Sequence, residues 1–233
     1  MGKGGWFRAV ALGLLVVILE LPVAAQNGSS QAWPEIDTYL RLSSDMRVSF
    51  FAAKTRESGE ETSAEVGPNI DFYFKPLLKL KRITVFQLDQ SKERPLMLRV
   101  GYRYMPSTDG PTEHRGLVEA TGRYPLIRGV LLSDRNRGDL RYIAGELLWR
   151  YRNRLSAERT FAIHRYHFTP YARVEAYYDD QVGKWSRTSE SAGLILPFRK
   201  RYEMEPYYEH QNDTSNAPNR QVNAFGFVLS MYF

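Results

Sequence analysis

Arg150, Arg152 and Arg154 fall on every second residue, a spacing that places three guanidinium groups on one side of an extended chain. Such a column can pass or hold anions, or it can lock carboxylates into fixed pairs. Glu146, Glu175, Glu203 and Glu205 fall in the same register, which favours pairing. Acid–base chemistry would have to come from His114, His164, His167 or His210. A membrane-edge hydrolase needs a serine two residues beyond its histidine, and after His210 that position holds Asn212. His164 and His167 flank Arg165 and Tyr166 with no third ligand at a telling spacing, so neither a metal nor a cofactor is expected. The chain has no cysteine, which excludes disulfides, thiolate metal sites and a cysteine nucleophile.

The element carrying the arginine column also carries Leu147, Trp149 and Tyr151 on its other face. One arginine at the middle of a lipid-facing strand would cost about 2–4 kcal/mol, so if the strand spans a membrane the column must face a lumen. The same argument assigns Arg99, Arg103, Glu119, Arg123 and Arg173 to the inward register, together with Glu146, Glu175, Glu203 and Glu205. The last stretch shows the alternation most clearly. Phe225, Phe227, Leu229, Met231 and Phe233 share one apolar face, and the opposite face carries no charge. This strand with its terminal phenylalanine resembles the closing strand of bacterial outer-membrane barrels, whose assembly machinery reads that pattern.

Alternation predicts segments at about 33–42, 45–55, 62–75, 78–88, 95–105, 114–124, 127–135, 139–155, 169–180, 185–198, 201–211 and 219–233. Trp33 and Pro34 read as an interface anchor, and Asn136 to Asp139 as a tight polar hairpin. The expected fold is all-β, a transmembrane antiparallel up-and-down barrel of about twelve strands. If residues 76–94 form a turn and one N-terminal pair is miscounted, ten remain. An even number follows if both termini lie in the periplasm.

Lys3 and Arg8 precede an apolar run ending near Leu19, and Val23, Ala24 and Ala25 form a small-residue cleavage site. Residues 1–25 therefore read as a secretory signal peptide, 26–32 as a polar leader and 33–233 as the barrel. The apolar run is too short to cross a bilayer as a helix. A secreted β-sandwich would also alternate, but the faces opposite the apolar ones are too charged to form a dry core. These features place the chain in the bacterial outer membrane, with outer-membrane lipids, barrel-assembly machinery and periplasmic chaperones as partners, and no nucleic acid.

Residues 133–137 (SDRNR), 149–154 (WRYRNR), Pro170-Tyr171 with Glu175, Gly193, and residues 207–211 (YYEHQ) together resemble a family of bacterial barrels catalogued as a domain of unknown function. The resemblance runs from about Trp33 to Phe233 and is strongest over 133–233. It implies an outer-membrane barrel with no assigned activity. The residues themselves favour a non-enzymatic small channel, or a structural or interaction barrel, with a charged lumen. The alternative is an outer-membrane phospholipase or lipid deacylase.

Overall fold

The structure, a computed structural model, describes residues 29–57, 62–74, 88–107, 110–215 and 219–233. Its strands are β1 (Ser29–Arg41), β2 (Met46–Glu57), β3 (Thr62–Phe74), β4 (Leu96–Met105), β5 (Glu113–Pro125) and β6 (Val130–Ile143). They continue with β7 (Glu146–Arg159), β8 (Phe161–Ile163), β9 (Tyr166–Asp179), β10 (Lys184–Phe198), β11 (Tyr202–Asp213) and β12 (Arg220–Tyr232). Eleven of them close into a barrel, and β8 only extends the turn before β9. All neighbours run antiparallel except at one seam, where β1 lies parallel to β12. An odd number of alternating strands can close only through one such pair, so the expectation of an even number does not hold. The segment expected at 78–88 lies outside the described residues up to Leu88, and β3 pairs directly with β4.

The side-chain distribution is inverted relative to a water-soluble domain. Glu113, Arg115, Leu117, Glu119 and Thr121 on β5 are buried, while His114, Val118 and Ala120's partner Leu98 face outward. Around the outside, Ile70, Val100 and Val118 are exposed on paired positions of β3, β4 and β5. Aromatic groups gather toward the two rims. Trp149, Tyr178 and Trp185 pack together near the β6–β7 and β9–β10 turns, and Phe161–Phe168 and Phe198–Tyr202 near the opposite rim, where Phe233 lies. No helix among the described residues is long and apolar enough to cross a membrane.

Two local expectations are corrected. The residues read as a hairpin, Asn136 to Asp139, are mid-strand in β6, and the chain turns instead at Ala144 and Gly145, whose φ values of 51° and 90° suit a two-residue hairpin. The cause is chemical: Arg137 and Asp139 look like turn residues but point into the lumen, where Arg137 Nε donates to Asp139 Oδ1 at 2.7 Å. Trp33 is not an outer anchor. It lies in β1, which already begins at Ser29 within the expected leader, and it lines the lumen with its indole N–H donated to Gln31.

Inside the barrel, aromatic rings lie over glycines. Tyr171 and Tyr207 flank Gly193, and Tyr207 and Trp33 flank Gly226 across adjacent strands. A Cβ at Gly226 would overlap the Tyr207 ring. Gly67 is less forgiving, because its Cβ would meet the backbone carbonyl of Tyr102, which cannot rotate aside. Gly67→Ala is therefore expected to disturb β3–β4 pairing and to lower stability by roughly 1–3 kcal/mol. Urea unfolding with an unchanged midpoint would contradict this.

Candidate functional site: the charged lumen

The strands enclose a cavity of about 630 Å³ lined mainly by charged and polar side chains. One centre of its ion pairing is Glu175, 2% exposed, whose carboxylate accepts from Arg135 at 2.8 Å, Arg152 at 2.9 Å and Arg154 at 2.6 and 2.8 Å. The Arg152 guanidinium also lies 4.6 Å over the Tyr177 ring. A second centre is Asp71, fully buried, which accepts from Arg47 at 2.7 and 2.9 Å and from Arg99 at 2.6 and 3.0 Å. A third joins Glu205 to Arg173 at 2.7 Å and to the Tyr171 hydroxyl at 2.5 Å. Toward the rim of the β6–β7 turn, Glu113 holds Arg115 and Arg141, and Asp179 holds Arg150. Such charge-assisted pairs satisfy guanidinium donors that the strand pattern forces inward.

The end nearest Phe233 is partly filled by the β3–β4 connection, whose described part contains a 3-10 turn at Gln90–Glu93. Asp89 accepts from Arg47 at 2.8 Å, Lys92 bonds Glu158 at 2.8 Å, Arg123 donates to the Ser91 and Arg94 carbonyls, and the Leu88 amide donates to Glu203 at 2.5 Å. Burial opposes ionisation of Asp89. The charges of Arg47, Lys92 and Arg123 and the Ser91 hydrogen bond outweigh it and hold the carboxyl well below its usual range. A depressed carboxyl contributes stability above its unfolded value, near about 3.9, and loses it as the pH falls toward the folded value. Hydrogen-exchange protection of residues 88–94 is thus expected to hold from about pH 8 to pH 5 and to fall progressively below about pH 4. Loss between pH 7 and 5 would contradict the assignment.

Of the expected inward residues, Arg99, Arg103, Glu119, Arg150, Arg152, Arg154, Arg173, Glu203 and Glu205 line the cavity. Glu175 sits behind its three arginines, and Arg123 beneath the 3-10 turn. Glu146 does not join them: it is exposed at the β6–β7 turn, one residue past Gly145, because the strand ends there. Phe225, Phe227, Leu229, Met231 and Phe233 take the outer face of β12 and its end, while Val222, Ala224 and Val228 are buried within.

Sequence reasoning missed Arg47, Asp71, Asp89, Arg135, Arg137 and Arg141. The alternation of Asn69, Asp71 and Tyr73 contained the signal for Asp71, whereas the misplaced hairpin hid those on β6. His114 lies 2.5 Å from the Tyr102 hydroxyl, and His210 lies 2.9 Å from Asn223 Oδ1 on the outer face, opposite Glu190 of β10; neither bonds a serine. Among the described residues no group of three or more acids or histidines is arranged to hold a metal.

The fold and its interior define a closed β-barrel with a polar, ion-paired lumen. No protein-family model and no curated protein matches the chain.

Proposed function

We propose that the chain is an integral outer-membrane barrel without enzymatic activity, its charged lumen serving as a narrow hydrated compartment braced by arginine–carboxylate pairs. The observation that carries this reading is the inversion of polarity: Asp71, Glu119, Asp139 and Glu175 are buried, while Ile70, Val100, Val118, Trp149 and Leu155 are exposed. In water such a surface would aggregate, whereas in lipid it is the surface a barrel must present. Aromatic clusters near the two rims supply the interfacial groups that a spanning barrel uses. Residues 1–25 fit the reading as an export signal.

Expression in a Gram-negative cell tests it. The chain is expected to be cleaved after Ala25 and recovered with outer membranes as a heat-modifiable species. Recovery in the soluble periplasm would overturn the reading. His114 and His210 meet Tyr102 and Asn223 rather than a serine, so neither supports the alternative of a lipid-modifying activity.

A further inference from the structure

The lumen's charges pair around most of the barrel and are left in excess on two facing walls. On β6, β7 and β9 guanidinium groups exceed carboxylates: Glu175 is shared by Arg135, Arg152 and Arg154, and only Arg135 has a second carboxylate, Glu119 of β5 at 3.8 Å. Arg137 is 8% exposed, lines the cavity, and has an Nη2 with no hydrogen-bond partner. The seam strands are the reverse. The inner face of β12 from Val222 to Tyr232 carries no charge, and its neighbours β1 and β11 contribute Glu35, Asp37 and Glu209 to the cavity.

Among the described residues none of these three carboxyls is ion-paired with a base. Asp37 accepts from the Tyr39 hydroxyl at 2.9 Å and shares a hydrogen bond with Glu35, while Glu209 bonds Ser189. In the eleven-strand ring, β6 and β7 stand across from the β12–β1 seam. The two walls therefore face each other, guanidinium groups in excess on one and carboxyls without a counter-ion on the other, close enough that Glu35 and Glu209 both interact electrostatically with Arg154. The result is a field directed across the lumen rather than along it.

A simple anion would satisfy only the arginine wall. A bare metal cation finds no cluster of acids arranged to chelate it among the described residues. A molecule with a carboxylate at one end and an ammonium at the other satisfies both walls. The cavity volume of about 630 Å³ falls in the range of small-ligand sites. We infer that the lumen binds small zwitterions of the amino-acid and short-peptide class, oriented with the carboxylate toward Arg137 and Arg154 and the ammonium toward Glu35 and Glu209.

This inference rests on the reading of the chain as a barrel with a hydrated lumen. The test is calorimetric titration of the refolded, heat-modifiable protein with trialanine, N-acetyl-trialanine and trialanine amide. Trialanine is expected to bind, and each blocked derivative to bind about tenfold more weakly or worse, since each loses one charged hydrogen-bonding end. In Glu35→Gln/Glu209→Gln the penalty for N-acetylation should disappear while that for amidation remains. Absence of trialanine binding, or equal binding of all three peptides, overturns the inference. The wild-type comparison decides it even if the double variant does not fold. Failure of fractionation with outer membranes would strike the barrel reading itself, whereas failure of the titration on an inserted barrel strikes only the ligand.

Discussion

Glu175→Ala is expected to destabilise the folded barrel by about 3–5 kcal/mol, measured by urea unfolding from lipid vesicles. Glu175 is 2% exposed and is the shared acceptor of Arg135, Arg152 and Arg154, so its removal leaves three guanidinium groups facing one another. The cost comes less from the bonds lost than from the charges stranded without a counter-ion. Arg152→Ala should cost less, because Glu175 then keeps Arg135 and Arg154. Adding Arg154→Ala to Glu175→Ala should recover part of the loss, since the Arg154 side chain is the most exposed of the three at 24%. A change below about 1 kcal/mol for Glu175→Ala would mean that water screens the cluster and that it does not brace the barrel.

Val118→Arg is expected to cost about 2–4 kcal/mol in the same assay, while Val118→Leu should be close to neutral. Val118 is 60% exposed on the outer face of β5, beside Val100, which is 50% exposed. In water an arginine there would be harmless, so the sign of the effect reports the solvent around the barrel. An unchanged unfolding midpoint would contradict a lipid-facing β5.

The fold was legible where an apolar exterior and a charged lumen impose strict parity on a strand. Residues 69–74 and 225–233 alternate cleanly, and their inward and outward faces follow from the chain alone. Parity fails where a lumen-facing pair imitates a turn. Arg137, Gly138 and Asp139 have the residue types of a hairpin loop, and only the partner positions Arg152, Tyr151 and Arg150 on β7 reveal them as a strand. Trp33 shows the same ambiguity for aromatics, which suit an interfacial belt and an inner wall equally well until Gly226 is seen opposite.

The arginine column was visible because its three members sit on one strand. Its counterpart was not, because Glu35, Asp37 and Glu209 come from strands far apart in sequence that only the β1–β12 seam brings together. The parallel seam itself depends on the number of strands between, which no local pattern encodes.

The central claim is that alternate residues of the strands meet lipid and lumen. The chain has no native cysteine, so single cysteines at Ser191 and Ala192 on β10 and at Leu229 and Ser230 on β12 can each carry one fluorophore. In vesicles containing nitroxide-bearing acyl chains, fluorescence is predicted to be quenched from Ala192 and Leu229 and spared at Ser191 and Ser230, which line the cavity. Equal quenching at neighbouring positions, or none at any of them, would contradict the account.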